Sequence, residues 1–337
     1  MPLANLFVFT CRAHLTFKGA FVILKPMKKI KVAVIGVGHL GSRHLKTYHQ
    51  LKDIVELVGI SDLNKDQGQK LAREFHTAFF PDYHDLIGKA EAVSICTPTS
   101  SHCAVGLAFL NAGIHTLIEK PIAMDVAEAD QLVAAAQARD LKLQIGHIER
   151  FNNAFQAIKD IAHDAKFIEC HRLNHFPNRS LDIGVVMDLM IHDIDIVQGL
   201  INTPVTDIQA IGINVLTDKD DIANVRLTFA NKAVCNLTAS RISPEVMRKI
   251  RIFIPNAYIS LDYVKQEAFI YRKDGSAITR AALPIEKEEP LKRELAHFIE
   301  CVRDNKKPLV SGIEGRDALK TALAIQKIIW TEHLKKS

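Results

Sequence analysis

The 337-residue chain has no Cys-x-x-Cys pair, and its six cysteines (Cys11, Cys96, Cys103, Cys170, Cys235, Cys301) are scattered. That scatter excludes a zinc knuckle and a disulfide framework, and leaves the thiols as small buried hydrophobes of a reducing compartment. No apolar run approaches the roughly 20 residues that a membrane-spanning helix needs. Lys/Arg blocks and basic-aromatic stripes are missing too. With 43 basic against 38 acidic residues the net charge is only +5, so nothing suggests a nucleic-acid surface. Internal repeats, low-complexity tracts and long linkers are likewise absent, which excludes a repeat array.

What remains is 48% hydrophobic and 24% charged, ordinary for a globular protein and expected in the cytoplasm. The length exceeds one typical core and suggests two domains. Residues 1–26 stand apart: apolar, free of acids and interrupted by Arg12, Lys18 and Lys25. They lack the unbroken apolar centre of a signal peptide and the Ser/Arg richness of a transit peptide. We expect an upstream-start extension or poorly ordered leader, with Met27-Lys28-Lys29 as a natural start.

From Lys29 short β-branched runs alternate with helical segments. Strands are expected at Ile30–Ile35, Val55–Ile60, Ala92–Cys96, Thr116–Ile118 and Lys142–Ile145. Helices are expected at His39–Leu51, Lys65–Phe75, Ser101–Ala112 and Val126–Arg139. This rhythm implies βαβ units and a parallel sheet covered on both faces. After Phe151 it changes. A helix over Asn152–Ile161 leads into alternating strands with turn signals at Asn231-Lys232, Pro255-Asn256 and Asp274-Gly275, so the second half reads as mostly antiparallel. Two amphipathic helices, Leu291–Arg303 and Gly315–Leu334, end the chain and are expected between the domains.

Gly36-Val37-Gly38-His39-Leu40-Gly41 follows the first strand and opens a helix. The first glycine permits the turn, the second clears space for a pyrophosphate, and the third lets helix and strand approach; the helix amides then face the phosphates. Asp62 lies 21 residues after Gly41, at the end of the second strand, placed for a ribose 2′-hydroxyl. A carboxylate there repels a 2′-phosphate, which favours NAD over NADP. Residues 27–150 are therefore expected to be a doubly wound Rossmann domain. Residues 151–337 are expected to be a substrate-binding and oligomerisation domain built on an open, mostly antiparallel sheet (α/β followed by α+β).

Cys96-Thr97-Pro98-Thr99 and Glu119-Lys120-Pro121 end successive strands on the sheet edge where such folds place ligands. Lys120 alone reads as a solvated strand end. Further on, Asp188 and His192 are four apart, which on a helix puts them on one face, where a carboxylate fixes the tautomer of an imidazole base. A satisfied core histidine is the plainer alternative. Arg172, Asn174, His175 and Arg179 lie upstream and read equally as pyrophosphate ligands or as a polar loop. The His171/His175 pair falls in a strand, where its spacing does not converge on a metal, and no metal is expected.

Together, the glycine loop, Thr97-Pro98, Glu119-Lys120-Pro121 and Asp188-x-x-x-His192-Asp193 resemble the Gfo/Idh/MocA oxidoreductase family from about Lys29 to the C-terminus. The resemblance implies that His192 is the general base on a sugar hydroxyl, that Lys120 stabilises the developing alkoxide and that Asp188 orients His192. It implies a cofactor site of Gly36, Gly38, His39, Leu40, Gly41, Asp62, Thr97, Pro98, His102, Glu119 and Lys120, and a substrate site of Lys120, Arg150, Asn152, Arg172, Arg179 and His192. Gly146-His147-Ile148-Glu149-Arg150-Phe151-Asn152 and the segment from Asp188 to Asp195 are similar to the UDP-N-acetylglucosamine 3-dehydrogenase subgroup, with Asn153 where proline is common. An NAD-dependent sugar or nucleotide-sugar dehydrogenase follows, a homodimer or homotetramer working with a pathway aminotransferase in lipid A or glycan synthesis. An inositol or free-sugar dehydrogenase, and a non-catalytic NAD- or sugar-responsive regulator, stay open as alternatives.

Overall fold

The computed structural model describes residues 28–162, 164–176 and 183–331. The expected leader and Arg179 lie outside the described residues. Six parallel strands form the first sheet: β1 (Ile30–Ile35), β2 (Val55–Ser61), β3 (Phe79–Phe80), β4 (Ala92–Ile95), β5 (His115–Glu119) and β6 (Leu143–Gly146). Their order is β3-β2-β1-β4-β5-β6. β4 is buried at every position and β1 at all but Lys31. Such continuous apolar runs are what a sheet with both faces covered requires. The covering helices are α1 (His39–Gln50), α2 (Lys65–Glu74), α3 (His102–Asn111) and α4 (Val126–Gln137). Side chains set two of their starts: Asn64 accepts from the Gln67 N–H (3.1 Å), and Asp125 from the Glu128 N–H (2.9 Å). The strand order reverses between β1 and β4, and the crevice over their carboxyl ends is the ligand position of this architecture.

The second sheet has eight strands: β7 (Phe167–Leu173), β8 (Val205–Ile213), β9 (Ile222–Phe229), β10 (Val234–Ser240), β11 (Met247–Ile254), β12 (Ala257–Asp262), β13 (Glu267–Asp274) and β14 (Ala277–Ala282). They run in the order β14-β13-β12-β11-β7-β10-β9-β8, with only β7 and β10 parallel. The three foreseen turns close β9–β10, β11–β12 and β13–β14. Lys232 (φ 67°), Asn256 (φ 63°) and Gly275 (φ 58°) supply the left-handed residue that tight hairpins need. Ile168, Cys170 and Arg172 of β7 point inward, towards α6 (Ile191–Ile201), while α5 (Asn153–Ile158) packs on β12 and β13; the alternate residues of β7 face outward.

The last two helices join the sheets. α7 (Pro290–Arg303) returns to the first sheet, burying Leu291, Leu295, Phe298 and Ile299 in one cluster with Val32, Val34, Leu45 and Tyr48. Each such side chain withdrawn from water contributes about 1.5–3 kcal/mol. α8 (Gly312–Ile329) packs on α4, α6, β6 and β8. It begins three residues earlier than expected because Ser311 caps it, with Glu314 accepting from the Ser311 N–H (2.8 Å). Gly312 and Gly315 make the approach to β6 possible: a Cβ on either would lie 2.5 Å from Leu143 or Ile145.

Candidate active site at the sheet reversal

β1 delivers Gly36, at φ 80°, into the crevice, and α1 begins at His39 without a side-chain cap, leaving its first amides free for an anion. A Cβ on Gly41 would lie 1.8 Å from the Gly36 carbonyl oxygen, so helix and loop meet only because it is absent. A Cβ on Gly38 would meet nothing within 4 Å. That open space in front of the amides is what a pyrophosphate requires. Asp62 holds the loop from the side, accepting from Val37 N–H (2.6 Å) and Asn64 N–H (2.8 Å). Gly38 and His39 are exposed and Leu40 half-buried. The donor set fits NAD, with an acid where a 2′-phosphate would need a cation.

Thr97 and Pro98 border the same crevice; a Cβ on Gly36 would strike Thr97 at 2.9 Å. Two residues expected to touch the cofactor lie deeper. His102 is buried, with Nδ1 2.9 Å from the Pro121 carbonyl and Nε2 2.9 Å from the Thr97 carbonyl. It joins the Thr97 and Pro121 loops from beneath. Glu119 is buried as well, 2.9 Å from His44 Nε2, and accepts from the Lys120 N–H (3.2 Å). Its apolar surroundings demand a partner, so it braces the base of the Lys120 loop.

Lys120 reaches out of that loop to the second domain. Its Nζ donates to the Asp188 carbonyl (2.6 Å) and to Asp188 Oδ1 (3.3 Å). Residues Val186–Met190 form a π-helical turn running into α6. The wider turn breaks the expected i, i+4 alignment: Asp188 engages Lys120, and the expected Asp188–His192 bond is not formed. His192 Nδ1 is buried without a partner. Burial, then the Lys120 charge, pushes the imidazole well below its ordinary pKa, so the ring is neutral at pH 7. His147 stands edge-on to it, with ring centroids 6.0 Å apart and both nitrogens buried and unpartnered.

Three residues assigned to substrate serve the framework. Arg172 donates to Asp193 Oδ2 (3.0 Å) and Oδ1 (2.8 Å) and to Glu149 Oε1 (2.9 Å), fully buried. Arg150 donates to Asp195 Oδ2 (2.7 Å) and Oδ1 (3.3 Å) beneath α6. Asn152 donates to the Tyr263 carbonyl (3.1 Å) and caps α5 by accepting from Ala154 N–H (3.1 Å). Each lies inside the fold, where an unmet charge or amide is costly, so each is spent on a partner in the chain. The Asn174 and His175 segment is tied to Ser240 and Ser243.

Sequence reasoning missed Glu294 of α7. It is fully buried, both carboxyl oxygens lack partners, and burial reinforced by Glu119 pushes its pKa well up. Its only signal is an acid in the apolar stripe of an amphipathic helix. Among the described residues there is no cluster of three or more side chains able to hold a metal, and no helix long and apolar enough to cross a membrane.

Fold and site together define a two-domain oxidoreductase with a dinucleotide crevice facing a His/Lys pair. The model of an oxidoreductase family with an NAD-binding Rossmann fold (GFO_IDH_MocA) matches residues 30–147, and that of the GFO/IDH/MocA C-terminal domain matches residues 144–260. The chain belongs to the Gfo/Idh/MocA family of NAD-dependent oxidoreductases. It is 37% identical over 307 residues to UDP-N-acetylglucosamine 3-dehydrogenase of Acidithiobacillus ferrooxidans, covering 89% of this chain and 97% of that one. A solved structure of that enzyme superposes with a TM-score of 0.86 over 90% of this chain and 99% of that one. Myo-inositol 2-dehydrogenase of Thermotoga maritima is 26% identical, over 88% and 96% of the two chains. The fold is shared with scyllo-inositol dehydrogenase of Lactobacillus casei holding NAD(H) and scyllo-inositol (TM-score 0.77, 19% identity, 90% and 98% covered).

Proposed function

We propose that the protein oxidises the 3-hydroxyl of UDP-N-acetylglucosamine to a ketone. The observation that carries this reading is the pairing, at the nicotinamide end of the crevice, of a Lys120 ammonium anchored on Asp188 with a His192 imidazole kept neutral. The 37% identical relative, matched along nearly its whole length, supports the choice of substrate.

His192 takes the hydroxyl proton, which only the neutral ring can do, and Lys120 donates a hydrogen bond to the same oxygen as it becomes an alkoxide. Asp188 positions Lys120 by holding its Nζ on two sides. NAD, held at the glycine loop and Asp62, would supply the acceptor for the carbinol hydrogen as hydride. The balance is secondary alcohol plus NAD⁺ to ketone plus NADH and a proton. Loss of the base or of the alkoxide donor costs on the order of 10²–10⁴ in rate.

The ketone is a form that an aminotransferase converts to an amine, and the reading is of a cytoplasmic step that feeds lipid A or related glycan assembly. Residues 27–150 bind the cofactor and lend side chains, Lys120 among them, to the substrate; residues 151–337 form the substrate-binding and oligomerisation domain of a homodimer or homotetramer. The outer face of the second sheet supports the oligomer. Phe167, Phe253, Tyr258 and Tyr271 stack across it with centroids 4.3–5.5 Å apart, half-exposed.

The test is NADH formation with UDP-N-acetylglucosamine, an aminotransferase and amino donor draining the ketone, beside N-acetylglucosamine and myo-inositol. Turnover of the nucleotide sugar alone supports the proposal. Turnover of myo-inositol alone supports the second reading, which the Thermotoga maritima relative favours. NAD binding without turnover of any of them points to a regulator.

A further inference from the structure

With Arg150 and Arg172 each locked onto carboxylates, neither is free to receive an anion. A different set of cations is. A cavity of about 640 Å³ opens beside the glycine loop, between one side of α1 and the inner face of β11 and the β12 end. Leu40, Arg43 and Lys46 line one wall; Arg248 and Tyr263 line the other. The volume is in the range that holds small-molecule ligands.

The charge of this cavity is lopsided. Among the described residues Arg43, Lys46 and Arg248 form no ion pair, whereas of its acids Glu149 is bound to Arg172 and Glu289 is exposed. Arg248 is the most informative. β11 sets it directly opposite Arg172 of β7, and its Nε is buried without a partner. The carboxylates whose fields reach it, Glu149 and Asp193, are both already bonded to Arg172. Burial and the Arg172 charge disfavour its protonated form. A half-buried guanidinium beside a second guanidinium has lost part of its solvation without gaining a counter-ion, an arrangement that an anion would complete. The cavity lies towards the catalytic pair: Glu149 in its wall is two residues after His147, whose ring centroid is 6.0 Å from that of His192, and the Arg248 charge acts on His192.

The structure assigns this cavity as the phosphate-binding end of the substrate site: it takes the diphosphate of a nucleoside diphosphate sugar, with Arg248, Arg43 and Lys46 as its ligands. The assignment rests on the nucleotide-sugar reading above and names the residues that distinguish such a substrate from a free sugar. The cofactor pyrophosphate belongs at the first α1 amides, whereas Arg43 and Lys46 lie one and two turns further along that helix.

The experiment titrates UDP by calorimetry into NADH-loaded protein and measures steady-state kinetics with UDP-N-acetylglucosamine, for wild type, Arg248→Met, Arg43→Ala and Lys46→Ala. UDP should bind wild type, and Arg248→Met should weaken it about 10- to 100-fold, the worth of one hydrogen bond to a charged group. The exposed Arg43 and Lys46 should each cost less. The loss should fall on KM for the nucleotide sugar rather than on KM for NAD. Arg248→Met should melt no lower than wild type, because an uncompensated charge has been removed. No UDP binding to wild type, unchanged UDP affinity in all three variants, a rise confined to the KM for NAD, or a lowered melting temperature with lost kcat would each overturn the assignment. UDP binding through these residues without turnover of UDP-N-acetylglucosamine would sink the substrate reading and keep the cavity. Turnover indifferent to the three variants would do the reverse.

Discussion

Arg172→Met separates a framework residue from a substrate ligand. Arg172 closes three short bonds to Asp193 and Glu149, with 3% of its side chain exposed and its partners at 4% and 9%. Replacing it leaves two buried carboxylates without their cation, and breaking a buried pair in this way costs about 3–5 kcal/mol. Domains of 150–250 residues lose about 2–4 °C per kcal/mol, so the melting temperature should fall by roughly 6–20 °C. Activity should fall with it, because Asp193 follows His192 in α6 and Glu149 sits two residues after His147. Replacing the triad together (Arg172→Met, Asp193→Leu, Glu149→Met) should recover most of the stability, since no buried charge then lacks a partner. Calorimetric melting of the protein without cofactor reads both. An unchanged melting temperature in Arg172→Met, with a raised KM for the nucleotide sugar, would refute this reasoning and restore Arg172 to the substrate site.

Three further outcomes follow from the geometry. The base must be neutral and His192 is held well below 6.5, so kcat/KM should be flat through pH 7 and fall only on the acid side; Lys120→Met, by removing the ammonium, should move that acid limb to higher pH. A wild-type limb centred at or above 6.5 contradicts this. Glu294 has a raised pKa, so its contribution to stability is present below the ordinary carboxylate value of 4.5 and is lost as pH rises above it. Glu294→Gln should therefore raise the melting temperature at pH 8 by at least about 2 °C and leave it unchanged near pH 4, and an equal effect at both would be wrong for a buried carboxyl. Gly38 has φ −67° and open space at its Cβ, so Gly38→Val should melt like wild type yet bind NAD at least about tenfold more weakly, as equilibrium dialysis would show.

The sequence carries most of this architecture because local chemistry and global position agree in it. β1 has the expected bounds, since Ile30–Ile35 is apolar at every position but Lys31 and runs into Gly36. The three hairpins lie where Asn, Lys and Gly occupy left-handed positions. The weaker strands escaped. β3 is two residues long, and β14 is exposed at every position, so neither carries a burial pattern to read. The return of α7 to the first sheet joins residues far apart in the chain, and no local periodicity says which sheet an amphipathic helix will cover.

The site divided in the same way. Glycines and Asp62 act through backbone geometry that a motif encodes directly. Arg150, Asn152 and Arg172 carried the right chemistry for a phosphate, but Asp195, Asp193 and Glu149 meet two of them in the fold, and a sequence does not show which charges cancel. Asp188 failed as the partner of His192 because a π-helical turn changed the spacing on which the expectation stood.

The central claim is hydride transfer from the sugar to NAD at this site. UDP-N-acetylglucosamine deuterated at C3, incubated with NAD⁺ and the coupled aminotransferase, tests it directly when the reduced cofactor is analysed by mass spectrometry. NADH should carry the deuterium, in wild type and far more slowly in His192→Ala and Lys120→Ala. Label retained in the sugar, or transfer at an undiminished rate in both variants, would contradict it.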